Sequence, residues 1–362
     1  MFPPRETYTF PDSTRWACRL AGLALLPVLL SAAARLYPRT GEGQSVYEFS
    51  LPRMGTTLHL EFYAANVEEA SKAANAVFDR VEDLEQTFSD YRDDSELTEL
   101  SRQGGSAPRA VSPEMFEVLE SSLRISELSG GAFDVTVGPV VALWRQARRT
   151  HVMPDAAALA RAQAAVGYRN IELDAQHRTV FLKRRDMKLD VGAIAKGYAA
   201  DRALALLESR GINRALVAAG GDLRIGAPPP GQPGWAVVVD SPDIASGRRP
   251  CTLLLHDVGI STSGNSHQFA DIHGRRFSHI VDPATGMGLE GAASSTVIAR
   301  NGTTSDGLAT ALSVMSPEAG LHAAESVEGA SAYLVRQSPQ GWEYYSSRGF
   351  PRACNEPGRR GR

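Results

Sequence analysis

The chain has 362 residues, 43% hydrophobic and 22% charged, with a formal net charge of −3. That is a globular composition with room for one large domain or two closely packed ones, not a disordered one. The charge argues against a general nucleic-acid binder, which carries a basic excess, and no zinc-finger or RNA-binding motif is present.

The three cysteines, Cys18, Cys251 and Cys354, are far apart and show no C-x-x-C spacing. Neither a metal cluster nor a disulfide framework is expected from them, and the redox compartment stays open. At the N-terminus, Arg15 and Arg19 precede an apolar run from Leu20 to Ala34 that ends in small residues. This is the layout of a secretory signal, with an A-x-A-like exit at Ala32 to Ala34. The run is shorter than the ~20 residues that comfortably span a bilayer, and Pro27 interrupts it. Residues 1–45 are therefore read as a signal peptide or N-terminal membrane anchor, with a buried helix as the bland alternative. Cys18 precedes the apolar run, which argues against lipoprotein processing. The expected location is the periplasmic side of the cytoplasmic membrane, and the fold is expected to begin near Val46.

From Val46 the pattern mixes helix and strand periods. "YEFSLPRMGTTLHLEFYA" alternates around Met54-Gly55 and predicts a hairpin. "NVEEASKAANAVFDRVEDLEQTFS" is amphipathic, with Ala70, Ala73, Ala74, Val77, Val81 and Leu84 on one side. A second helix opens at Ser112-Pro113 and stops at Gly130-Gly131. "RNIELDAQHRTVFLKRRDMKLDVG" predicts two short strands with a turn. "AAGGDLRIGAPPPGQPGWAVVVDSP" predicts strand, Pro/Gly-rich loop and strand. The stretch Ser261–Gly286 is so polar that little in it predicts a long strand, and His279 is placed in a polar loop. "TSDGLATALSVMSP" opens a helix, and "ASAYLVRQ" with "GWEYYSS" closes as a hairpin. Residues 347–362 are read as a basic, disordered tail. Hairpins and helices in this order predict an α+β domain over 46–346.

No phosphate-loop or dinucleotide fingerprint is present. "AAGGDLRIG" follows a strand but leads into more strand, so Gly220, Gly221 and Asp222 read as a tight turn more readily than as a cradle. "LDVGAIAKGYAADRAL" offers a glycine turn and a helix start, whose free N–H groups suit an anion, with Lys196 adding a charge. The same residues also make an ordinary strand-to-helix connection. "GAFDVTVGPVVALW" sets Asp134 and Thr136 beside an apolar stretch, as pocket wall or as core. Asp306 and Thr310 lie at i and i+4 on one helix face and offer two oxygen ligands to a hard cation, or a plain helix cap. Hydroxyls at Ser261, Thr262 and Ser263, with His279, are suited to phosphate.

Taken in order, "RMGTTLHL", "FSDYRDDSEL", "GAFDVTVGP", "LDVGAIAKGYAAD", "AAGGDLRIG", "ISTSGN", "FSHIVDPATG" and "SDGLATAL" resemble the FAD:protein FMN transferases, the ApbE family. The resemblance runs from about Met54 to Met315. It implies a T-fold-like domain of mixed, largely antiparallel sheets packed with helices. It implies Mg²⁺-dependent transfer of FMN from FAD to a threonine or serine of a partner flavoprotein, with release of AMP. The implied acceptor is a flavoprotein subunit with a flavinylation motif, from a membrane redox complex. The resemblance assigns FAD contacts to Met54, Tyr91, Ala132, Phe133, Asp134, Asp190, Lys196 and Ile280. It assigns metal ligation to the Ala193 carbonyl, Asp306 and Thr310, and catalysis to His279 and Asp306. Lys196 stands where relatives also carry glutamate, and Asp282 reads as a turn residue rather than a second base. The alternatives are an FAD pyrophosphatase giving FMN and AMP, and an exported FAD-binding protein without turnover.

Overall fold

The computed structural model describes residues 43–243, 250–264 and 269–354. The apolar run Leu20–Ala34 lies outside them. Among the described residues, no helix is long and apolar enough to cross a membrane.

In chain order the strands and helices begin with β1 (Ser45–Arg53), β2 (Thr56–Ala64), α1 (Val67–Phe88), α2 (Glu96–Arg102), β3 (Arg109–Ala110) and α3 (Pro113–Leu128). Next come α4 (Gly138–Thr150), α5 (Ala156–Ala164), β4 (Ile171–Asp174), β5 (Thr179–Leu182), α6 (Ala195–Ser209), β6 (Ala215–Ala219) and β7 (Asp222–Ile225). Then follow β8 (Trp235–Val239), β9 (Cys251–Leu255), β10 (Val258–Gly264), β11 (Phe269–Ile272), β12 (Arg275–Val281) and β13 (Gly288–Glu290). The last are β14 (Ala293–Ala299), α7 (Gly302–Val314), α8 (Pro317–Ser326), β15 (Ser331–Ser338) and β16 (Gly341–Ser346).

An eight-stranded antiparallel sheet, ordered β1-β2-β6-β7-β10-β14-β15-β16, forms the frame. Its strands alternate between two cores, as the period of two requires. Val217 and Val297 face the helices, while their neighbours Leu216 and Ile298 face the opposite side. On the helical side α1 and α6 cover one end, with Ala70, Ala74, Val77 and Val81 against Leu60, Phe62 and Val217. The hydrophobic stripe of α1 is the one its sequence predicts, and Asn66 caps it by accepting from the Glu69 N–H at 2.9 Å. α3 starts at Ser112-Pro113 as predicted, with the Ser112 hydroxyl accepting from the Met115 N–H. The opposite face is covered by the β8–β9 hairpin, through Trp235, Val237, Leu253 and Leu255. The α+β architecture with largely antiparallel sheets is as expected.

Three expectations need correction. The polar stretch from Ser261 builds strand: the end of β10, then β11 and β12. Small hydroxylated residues pack well where a sheet meets a helix closely, and Phe277, Ile280 and Val281 supply enough apolar surface to seat β12. His279 is therefore on a strand rather than in a loop. The expected tail is packed as far as Cys354: Phe350 is buried and stacks on Tyr333, with ring centroids 5.5 Å apart. Finally, Cys251 and Cys354 form a disulfide across 103 residues, with Cα atoms 5.1 Å apart. Spacing along the chain held no hint of that pair.

Candidate functional site

The site is built where α6 and α7 cross. Their backbones touch at Gly197 and Gly302: a Cβ on Gly302 would lie 2.6 Å from the Gly197 carbonyl oxygen. Two helix N-termini brought this close leave several N–H groups without intrahelical partners. Each helix answers for the other. Asp306 of α7 accepts from the Gly197 N–H at 2.9 Å. Asp201 of α6 accepts from the Gly302 and Thr303 N–H groups at 2.7 and 2.8 Å, and from the Thr303 hydroxyl. α6 has no side-chain cap of its own at Ile194, so the anion its N-terminus attracts here is the Asp306 carboxylate.

Asp306 is almost fully buried, and Asp222, from the start of β7, is buried beside it. Lys196 lies between them, bonded to Asp222 and 3.6 Å from Asp306. Burial opposes the lysine's charge, yet the carboxylates together hold its ammonium above the usual lysine range. For Asp306 burial is the larger cause and the charge of Asp222 the next; both push its carboxyl upward against the pull of Lys196. Two acids thus share one ammonium, and a cation bound beside them would favour the ionised form of Asp306.

Hard oxygen donors surround this charge. Thr310, one turn beyond Asp306, is half-buried, and its hydroxyl is 3.1 Å from that of Ser263 on β10. Ser261 and Ser305 hydroxyls meet at 2.9 Å on the same seam. Ala193 is half-buried in the turn that enters α6. No group of three or more His, Cys, Asp or Glu suited to a metal occurs among the described residues. A cation here would find the Asp306 carboxylate and the Thr310 hydroxyl on one face of α7, and the resemblance adds the Ala193 main-chain carbonyl. Such a set, leaving positions open for phosphate oxygens, fits Mg²⁺.

The remaining residues divide. Tyr91 is 76% exposed, and the Arg145 guanidinium lies 4.4 Å from its ring centroid. Arg145 also pairs with Asp90 and, at 2.9 Å, with Asp190. Tyr91 and Asp190, far apart in sequence, are thus brought together. Met54 occupies a left-handed backbone position, φ 51°, at the β1–β2 turn beside Gly55, φ 68°. That pair of positive φ angles closes the hairpin, and it sets a half-buried Met54 where two cores meet. β12, carrying His279 and Ile280, packs against α7. Ile280 is buried, with its N–H given to the Ser278 hydroxyl at 3.0 Å.

In the Ala132–Asp134 segment assigned to FAD, two side chains are turned into the fold. Phe133 is buried in the main helical core. Asp134 accepts from the Thr136 N–H and hydroxyl at 2.8 and 2.6 Å and from the Tyr168 N–H at 2.8 Å. Both oxygens of Asp134 are committed to bracing this loop, and burial pushes its carboxyl upward. Of this segment, Ala132 is half-buried, whereas Phe133 and Asp134 are buried. Asp282 is a turn residue: its carboxylate accepts from the Ala284 N–H and the Thr285 hydroxyl. Asp201 and Arg145 escape sequence reasoning because nothing local marks them; their partners are about 100 and 45–55 residues away. Asp222, weighed as a turn, had its signal in the Gly-Gly that precedes it.

A profile of the ApbE family matches residues 54–334. A FAD:protein FMN transferase of Vibrio cholerae is 31% identical over 340 residues, covering 92% of this chain and 97% of that protein. A FAD:protein FMN transferase of Treponema pallidum is 33% identical over 283 residues, covering 73% of this chain and 77% of that protein. Among solved structures, the flavin transferase ApbE from Vibrio cholerae superposes with a TM-score of 0.77 at 29% identity, over 85% of this chain and 98% of that one.

Proposed function

The chain belongs to the ApbE family, and from that premise we propose that it transfers FMN from FAD to a hydroxyl of a protein acceptor, with release of AMP. The observation that carries the reading is the buried helix crossing lined by acids, where Asp306 and Thr310 offer oxygen donors on one face of α7. Mg²⁺ held by Asp306, Thr310 and the Ala193 carbonyl would neutralise charge on the FAD pyrophosphate. Lys196, anchored by Asp222, favours the ionised form of Asp306 against burial and the charge of Asp222. The acceptor hydroxyl attacks the phosphorus of the FMN half, the bond from that phosphorus to the bridging oxygen breaks, and AMP leaves. His279 takes the acceptor's proton.

The acceptor we infer is a flavoprotein subunit carrying a Ser/Thr flavinylation motif, in a membrane redox complex. The arginine-flanked leader and the Cys251–Cys354 disulfide favour action on the periplasmic side, because disulfides persist in oxidising compartments. The test is incubation with FAD, Mg²⁺ and an acceptor peptide bearing Thr, followed by mass measurement. A gain equal to FMN on the peptide, with AMP in solution, is the expected result. Free FMN and AMP with an unmodified peptide would instead mark a pyrophosphatase.

A further inference from the structure

We propose that Arg145 is a positioning residue for FAD, acting through Tyr91: it holds the tyrosine ring as a platform on which a flat heteroaromatic ring of FAD stacks. The inference rests on the site being an FAD site.

The geometry is a guanidinium held from two sides and stacked on from a third. One nitrogen bonds Asp90, which precedes Tyr91; another bonds Asp190 at 2.9 Å, in the segment leading to α6. The guanidinium carbon lies over the Tyr91 ring, 4.4 Å from its centroid. A planar fork can satisfy two carboxylates and still present a flat face, which a lysine ammonium cannot do. The arrangement is no loose surface pair, since the Asp90 and Asp190 side chains are only 11% and 10% exposed. Burial, and then the charge of Asp90, push the Asp190 carboxyl upward, and Arg145 is the largest of the groups that oppose this.

Tyr91 itself has no packing reason for its place. It is 76% exposed, the most exposed large hydrophobic side chain among the described residues, in a loop whose local bonds come from Ser89. With Arg145 on the ring and Arg148 a second cation near it, the ring is oriented while most of its surface stays exposed. An aromatic ring so fixed loses little freedom when a second ring stacks on it.

The experiment is a double-mutant cycle read as FAD affinity from flavin fluorescence, beside kcat at saturating FAD. It uses wild type, Arg145→Met, Arg145→Lys, Tyr91→Leu and the double variant Tyr91→Leu with Arg145→Met. Arg145→Met is expected to weaken FAD binding about ten-fold while kcat at saturation changes less than about three-fold. Arg145→Lys should restore only part of the loss. In the Tyr91→Leu background, Arg145→Met should cost less than about two-fold further, because the platform is already gone. Equal losses in both backgrounds, or full rescue by lysine, would overturn the proposal. Should Arg145→Met not fold, the same cycle is run with Arg145→Lys. A wild-type protein that does not bind FAD overturns the reading of the site and this inference together, whereas binding with additive losses overturns the inference alone.

Discussion

Asp306 serves two purposes, and substitution can separate them. As a hydrogen-bond acceptor it caps α6 through the Gly197 N–H; as a charge it supplies the one carboxylate of the proposed metal set. Asp306→Asn keeps an acceptor oxygen and removes the charge. Without metal, that variant should melt no lower than wild type, since it also removes one of two acids crowded around Lys196. Its Mg²⁺-dependent transfer should nevertheless fall by about 10²-fold or more. Asp306→Ala should lose both cap and activity, and Thr310→Ala should be milder because water replaces a neutral hydroxyl. Chelation of the wild type should abolish transfer, and added Mg²⁺ should restore it; turnover that survives chelation would remove the metal from the reading. His279 tests the proton step. His279→Ala should keep FAD affinity within about 1 kcal/mol, while labelling of the acceptor at saturating FAD falls about 10²–10⁴-fold. Equal collapse of binding and labelling would make His279 a ligand-holding residue instead.

At the scale of elements, the crossing of α6 and α7 decides the site, and glycine permits it. In an isolated helix Gly197→Ala would stabilise by roughly 0.5–1 kcal/mol. Here the added methyl would run into the Gly302 carbonyl and the Asp306 Cβ. Overpacking of this kind typically costs about 1–3 kcal/mol, so it should win. Gly197→Ala is expected to melt lower than wild type and to lose transfer activity, as α7 is pushed off the α6 N-terminus. A stable, active Gly197→Ala protein would mean that the crossing tolerates separation. The elements themselves are largely legible in the chain. The stripe of α1, the Ser-Pro start of α3, the Met54-Gly55 hairpin and the i, i+4 pair on α7 follow from local periodicity and turn chemistry. What is not legible is tertiary. Asp201 and Asp306 exchange caps about 100 residues apart, and Arg145 gathers Asp90 and Asp190. Nor does local sequence show that Asp134 braces its loop through Thr136 and the distant Tyr168 N–H. The end of β10 hides behind polarity, because the Ser261 and Ser263 hydroxyls face α7 rather than water.

At the scale of the molecule, the sheet separates the chemistry from its fastening. On β10, Ser261 turns to α7 while its neighbour Ile260 turns to the core under the β8–β9 hairpin. The Cys251–Cys354 bond lies on that second face, joining β9 to the segment after β16. The loop it closes spans 103 residues and contains β10 to β16 with α7, so the strands and helix that carry Ser263, His279, Asp306 and Thr310 all lie inside it. Closing a loop of that length restricts the unfolded chain by about 4.7 kcal/mol in the entropy account, with about 2–4 kcal/mol typical of measured bonds. Cys354→Ser should therefore lower the melting temperature by about 5 °C or more. Because the bond is on the far face from the helix crossing, kcat measured well below the melting temperature should stay near wild type. Reduction of the wild type should reproduce the same drop, and should not lower the melting temperature of Cys354→Ser further. The bond also bears on location. Protein recovered from the periplasm should show both thiols blocked to alkylation, and a fusion of residues 1–45 should carry an export-dependent reporter across the membrane. Free thiols at Cys251 and Cys354, together with a reporter held in the cytoplasm, would place the enzyme on the near side and leave its stability to the core alone.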